Sequence, residues 1–302
     1  MTASAYTPTI LRPAGQLRLL TWPALDASGV TAAVTARDGG VSSGPYATLN
    51  LSLTVGDDPA LVLENRRRLA AALGAQLGDF VFARQVHGAG VTVIQPSDRG
   101  SGAFRLDDAI AGTDALVTAT PGVVLAILTA DCVPVVLHDP VAGVLACVHA
   151  GWRGTVARVC AAAVATMASL GSDPADVIAG LGPAVAPARY QVGPDVHDAV
   201  TRSFGPAAAG FIRPDPQAPD HWLLDLWAAN QHVLRESGLP VTQIHVTSTA
   251  TGPTTSVDGT SNDGTSNDGT SNDGTSESGH FFSDRTARPC GRLALVASLG
   301  RA

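Results

Sequence analysis

The chain is short of charge. Asp, Glu, Lys and Arg make up only 15% of its 302 residues, and their balance is a net −7. It has no dense basic run. Arg66-Arg67-Arg68 is its one basic cluster, and it falls within an expected helix. Neutralising a phosphate backbone takes many clustered cations, so a nucleic-acid surface is excluded. A small substrate with one phosphate, held by one or two arginines, is not. Long hydrophobic runs are missing too. The most apolar stretch, 123–137, is interrupted by Asp131 and Pro134 and is too short to cross a bilayer. The first residues, MTASAYTPTILRPAG, lack the charged and apolar blocks of a secretory signal. Cysteine is scarce: Cys132, Cys147, Cys160 and Cys290 are irregularly spaced and read as reduced thiols, not a disulfide frame. A cytoplasmic protein is therefore expected. With no amphipathic docking helix or heptad run, no obligatory protein partner is expected either.

What the chain does have is apolar material, 45% of its residues, punctuated by 32 glycines and 20 prolines. That composition supports a sizeable core assembled from many short elements, which suits an enzyme better than a helical bundle. Strands are expected over 30–36, 80–86, 91–94, 115–118, 123–128, 133–137, 144–149, 177–181, 244–247 and 293–298. Several are apolar without alternation, as strands covered on both faces are. Asp58-Pro59 supplies a cap and a first-turn proline for a helix that should stop near Gly74. Further helices are expected over 156–170, 195–204 and 226–237. The mixture implies an α+β or α/β fold without an internal linker, one domain over 1–302. One segment differs. Within 257–279, Asp-Gly-Thr-Ser recurs four times at a five-residue period from Asp258 to Ser276. Glycine and small polar residues bury too little apolar surface to offset backbone ordering, so this reads as a disordered surface insertion.

Reactive side chains concentrate between His87 and Arg153. His87 sits in a turn, Gln85-Val-His87-Gly88. Asp131 and Cys132 lie between two apolar strands, where a structural thiol is the ordinary outcome but the adjacent carboxylate needs a partner. A third strand ends at His149, followed by Gly151-Trp-Arg153-Gly154 opening a helix, an arrangement suited to an anion. Two histidines and a thiolate can form a zinc site with its fourth position open. The spacing is long and irregular, and by itself leaves structural roles open.

The residues also carry a family resemblance. In order along the chain come Thr35-Ala-Arg37-Asp-Gly-Gly-Val-Ser-Ser-Gly-Pro-Tyr46, Leu49-Asn50-Leu51, Val55-Gly-Asp57-Asp58-Pro59, Asn65-Arg66, Gln85-Val-His87-Gly88 and Thr113-Asp114. Leu128-Thr-Ala-Asp131-Cys132-Val-Pro134, His149-Ala-Gly-Trp-Arg153-Gly, Leu181-Gly-Pro183, Phe281-Phe282-Ser283 and Gly291-Arg292 follow. Over nearly its whole length the sequence resembles the YfiH-like family of purine nucleoside phosphorylases, also known as laccase-domain or multicopper polyphenol oxidase proteins, some as peptidoglycan-editing factors. The resemblance implies His87, Cys132 and His149 as zinc ligands. It implies phosphorolysis of adenosine, inosine and 5′-methylthioadenosine, deamination of adenosine, and mixed β-sheets packed together, flanked by helices, with the site in a cleft. Departures from the family's pattern are Ala184, Gln191, Ala250 and Asp284, where cysteine, glutamate, cysteine and tyrosine are usual.

On this reading Asp131 orients a metal ligand, Arg153 takes phosphate, and Arg37 and Asn50 are further substrate contacts. Two alternatives remain. A His₂Cys set can take copper, which would make the protein a polyphenol oxidase. However, the 8 histidines include no His-x-His pair, and Met1 and Met167 offer no obvious axial ligand. A metal-free cysteine hydrolase acting on a cell-wall precursor would use Cys132 as nucleophile, His149 as base and Asp131 or Asp114 as orienter.

Overall fold

The computed structural model describes residues 9–247, 249–252 and 279–300. Its strands are β1 (Ile10–Ala14), β2 (Leu17–Thr21), β3 (Val30–Thr35), β4 (Phe80–Arg84), β5 (Val91–Val93), β6 (Ile110–Ala111), β7 (Ala115–Thr118) and β8 (Val124–Thr129). They continue with β9 (Val133–Asp139), β10 (Val144–Ala150), β11 (Ile178–Leu181), β12 (Gln191–Val192), β13 (Ile212–Pro214), β14 (Trp222–Leu224), β15 (Ile244–Val246) and β16 (Leu293–Leu299). The helices are α1 (Pro23–Ala27), α2 (Pro59–Ala72), α3 (Trp152–Val156), α4 (Val159–Ser169), α5 (Pro194–Phe204) and α6 (Leu226–Glu236).

The strands form a seven-stranded sheet in the order β1-β2-β3-β16-β8-β4-β6, a six-stranded sheet β15-β11-β9-β10-β7-β5, and a small sheet β12-β14-β13. Both large sheets are mixed: β8, β4 and β6 pair in parallel, as do β7 with β5 and β11 with β15, while their other ladders are antiparallel.

Successive side chains on a strand point to opposite faces, and here both faces are apolar. Along β10, Val144, Ala146, Val148 and Ala150 enter a core shared with α4 and α6, whereas Leu145 and Cys147 enter a second core between the two large sheets. From the seven-stranded sheet, Leu125, Ile127 and Leu295 meet them there. The outer face of that sheet, with Phe80, Phe82 and Ala126, packs beneath Leu69 and Ala70 of α2. The result is a helix–sheet–sheet–helix sandwich, the expected α+β class. The uninterrupted apolar strands are the two buried layers.

Local signals act as the sequence suggests at α2. The Asp58 carboxylate accepts from the Ala60 N–H at 2.8 Å, Pro59 opens the helix, and Gly74 follows its end at φ 63°. The expected single helix over 156–170 is instead two. The chain breaks at Ala157-Arg158, where Arg158 takes φ 64°, and the first helix starts earlier, at Trp152. The β1–β2 hairpin, turning through Gly15, had no counterpart in the sequence reading. The expected insertion at 257–279 lies outside the described residues except for Gly279. No helix among the described residues is long and apolar enough to cross a membrane.

Candidate metal centre

Three strand ends converge where the two large sheets meet. His87 follows β4 of the seven-stranded sheet. Cys132 lies in the turn that passes from β8 to β9, hence from one sheet to the other, and His149 is the penultimate residue of β10. Their candidate ligand atoms all lie within 4.8 Å of one another. The two imidazoles meet edge to face, with ring centroids 4.8 Å apart at 83°. His87 and Asp131 both hold positive φ, 60° and 81°. Such a conformation is costly for a residue with a Cβ, so the surrounding contacts must impose it.

At His87 the restraint is Asp114, fully buried at the start of β7. Its Oδ1 accepts from the His87 N–H at 2.9 Å, and Oδ2 accepts from the N–H groups of Val86 and Gly88 at 3.2 and 2.7 Å. The same Oδ1 lies 2.9 Å from His149 Nδ1, which leaves Nε2 as the nitrogen free to face Cys132. Burial pushes the Asp114 carboxyl up, but His149 and the N–H groups of Gly88 and Val86 outweigh it and hold it below the ordinary carboxylate range.

The charges within the cluster are coupled. Burial raises the Cys132 thiol, yet His149 and His87 beside it bring it down to about 6. Burial lowers His149, while Cys132 and Asp114 raise it to about 9. Cys147 and Cys160 have no such neighbours. Burial pushes both up, Cys160 to about 12, and they are core thiols. The set around Cys132 suits a divalent ion: two imidazole nitrogens and one thiolate, with the buried face of His149 held by a carboxylate. Space is reserved as well. A Cβ on Gly151 would stand 2.8 Å from Cys132 Sγ and 3.4 Å from His87 Cδ2. Among the described residues no other group of three His, Cys, Asp or Glu side chains could hold an ion.

The cluster opens on a cavity of about 460 Å³. Its walls include Asp131, Trp152, Arg153, Tyr190 and Asp284, together with Arg66, Arg84, Arg285, Arg288 and Arg292. Arg66 is sealed in place, donating to the carbonyls of Leu51, Gly102 and Ala103 and lying 3.9 Å over the Phe82 ring. Arg153 is exposed in the cavity and stacks on Trp152 at 4.4 Å. It belongs to α3, whose five residues carry little dipole, so any anion there would answer to the guanidinium itself.

Three expectations need correction. Arg37 and Asn50 do not line the cavity. The Arg37 guanidinium donates twice to the Ala47 carbonyl and packs on Phe282. Asn50 is wholly buried, donating to Ser52 O and Asp57 and accepting from the N–H groups of Ser52 and Arg292, so both residues hold loops together. Asp131 lines the cavity but does not orient a histidine. Its carboxylate accepts from Thr251 Oγ1 and the Arg285 N–H, tying the C-terminal segment beside Cys132. The carboxylate bonded to His149 is Asp114. Arg84, Tyr190, Arg285, Arg288 and Arg292 are among the cavity residues that composition and strand periodicity did not single out; of these, Arg292 stood in a motif that carried the resemblance.

A mixed two-sheet sandwich with a two-histidine, one-cysteine cluster in an arginine-lined cavity is the class that fold and site define. Residues 31–300 match the family described as multi-copper polyphenol oxidoreductase laccase, and the chain belongs to this laccase-like YfiH family. A purine nucleoside phosphorylase of Deinococcus radiodurans is 45% identical over 207 residues, 68% of this chain and 75% of its own length. The purine nucleoside phosphorylase YlmD of Geobacillus stearothermophilus is 38% identical over 227 residues, 74% of this chain and 81% of its own. The crystal structure of YlmD superposes with a TM-score of 0.82 at 32% identity, over 97% of this chain and all of that one. Adenosine deaminase RL5, from an unknown prokaryotic organism, is 38% identical over 216 residues, 72% of this chain and 82% of its own.

Proposed function

We propose that the protein is a zinc-dependent purine nucleoside phosphorylase that cleaves adenosine, inosine and 5′-methylthioadenosine and also deaminates adenosine. The observation that carries this reading is the meeting of His87, Cys132 and His149 on the wall of an arginine-lined cavity. Relatives that share most of the chain are named for these two activities.

His87, Cys132 and His149 would hold the ion, with Asp114 fixing His149 so that Nε2 faces it. A zinc ion bound there would supply Lewis acidity, bringing water's pKa toward neutrality. In phosphorolysis a phosphate oxygen joins C1′ as the N9–C1′ bond breaks and its electron pair leaves on the base. Arg153 holds the phosphate for that attack, and its charge opposes the dianion's repulsion from the nearby carboxylates. In deamination water adds at C6 of adenine and ammonia departs. Tyr190, whose phenol burial pushes well above its ordinary value, stays protonated and offers an O–H donor at the cavity wall.

The family's description favours copper as a second reading. Against it stand the lack of any His-x-His pair in the sequence and the place of Met167, on the buried face of α4 in the core. The Cys132–His149–Asp114 alignment favours a third, a metal-free cysteine hydrolase. Metal analysis of protein purified without added metal, paired with phenol oxidation and chelation assays, separates the three. About one zinc per chain, no phenol oxidation and loss of nucleoside turnover on chelation support the proposal. Stoichiometric copper with phenol turnover would overturn it, and so would an activity that survives chelation and dies on thiol alkylation.

A further inference from the structure

The cations of the cavity are not equivalent. Arg288 and Arg292 are both tied to Asp284: its Oδ2 lies 2.6 Å from Arg288 Nη2, and its Oδ1 accepts from Arg292 Nη2 at 2.9 Å. Arg292 cannot swing away. Its Nη1 also donates to the carbonyls of Cys290 and Gly291 at 3.0 and 3.2 Å, and its backbone N–H is held by Asn50. Arg288 is drawn back by a bond from Nε to the Asp284 carbonyl at 3.1 Å. Asp284 and Arg292 keep only 24% and 26% of their side-chain exposure, so solvent screens this pair less than an open surface pair. Arg153 and Arg84 also line the cavity, and neither has a carboxylate partner among the described residues.

One part of the cavity is therefore open to an anion, and another is already filled by a carboxylate. The filled part adjoins the metal cluster. The N–H of Arg285, next in sequence to Asp284, bonds Asp131 Oδ2, and Asp131 precedes Cys132. Phosphorolysis of a nucleoside brings one dianion into the cavity, whereas a nucleoside monophosphate brings a second of its own. Without Asp284, Arg288 and Arg292 would form a two-guanidinium fork of the kind that grips a phosphate bidentately.

We infer that Asp284 is a specificity residue: it occupies the Arg288–Arg292 fork and so selects nucleosides over nucleoside 5′-monophosphates. The inference rests on the nucleoside reading of the site. It is tested by calorimetric binding of adenosine and AMP to the full chain, wild type and Asp284→Asn, with a thermal melt to establish folding. Wild type should bind AMP at least tenfold more weakly than adenosine. In Asp284→Asn the ratio of AMP to adenosine affinity should rise at least tenfold, a change that general loosening of the cavity, which weakens both ligands, does not produce. Equal binding of the two ligands by wild type overturns the inference without recourse to a variant, and so does an unchanged ratio in folded Asp284→Asn. If wild type releases no free base from adenosine with phosphate, it is the nucleoside reading that fails. If it does release base while the ratio stays put, only the role of Asp284 fails.

Discussion

Asp114 accepts four hydrogen bonds, three from backbone N–H groups around His87 and one from His149 Nδ1. Asparagine has nearly the same shape but one acceptor oxygen, so its amide would face donors on one side. Asp114→Asn should therefore weaken zinc by about 10–100-fold, measured by chelator competition. It should also cost about 1–3 kcal/mol of stability from unsatisfied donors. Unchanged zinc affinity would make Asp114 a scaffold residue only. Arg153→Ala should raise the KM for phosphate by about tenfold or more, the loss of one charge-assisted contact, while zinc affinity holds. An unchanged phosphate requirement would remove Arg153 from that role. The contrast with Arg37 and Asn50 shows what sequence makes visible at this scale. All three polar residues sit in motifs that carry the family resemblance. Whether each turns into the cavity depends on partners remote in the chain, such as the Ala47 carbonyl for Arg37 and the Arg292 N–H for Asn50.

At the scale of elements, the turn from β10 into α3 brings backbone hard against the candidate metal ligands. Gly151 has φ −76° and ψ 172°, which any residue adopts, so its missing Cβ is a matter of space alone. Gly151→Ala should displace Cys132 and His87 and reduce zinc affinity while the protein melts within a few degrees of wild type. A drop in stability with zinc affinity intact would contradict this. Removing the α2 cap by Asp58→Ala should do the reverse, costing about 1 kcal/mol without altering zinc affinity, as read from denaturant unfolding and chelator competition. The strands were legible because each buried layer writes an apolar run into β8, β9 and β10. The break between α3 and α4 was not. Ala157 and Arg158, where it falls, are ordinary helix formers, and the turn is set by packing: Arg158 reaches Glu236 and the Ser203 carbonyl.

The whole molecule is two mixed sheets face to face, and the candidate centre sits at the seam between them. His87 extends from one sheet, His149 belongs to the other, and Cys132 lies on the connection. An ion bound there ties the layers together, so loading should raise the melting temperature. At free zinc a thousandfold above its Kd the gain is about 4 kcal/mol, or several degrees. A melt indifferent to zinc and to chelator would argue against a bound ion. That several strands are covered on both faces was legible in their apolar runs, and the packing of mixed sheets entered only through the family resemblance; the pairing of distant strands that makes the seam was not legible, since nothing local marks β16 as the partner of both β3 and β8. The most direct measurement is product analysis of adenosine on the zinc-loaded protein, with and without phosphate, repeated after complete chelation. The account predicts free adenine with phosphate, inosine without it, and neither once zinc is stripped. Adenosine left intact in every arm, or products that persist in the chelated protein, would contradict it.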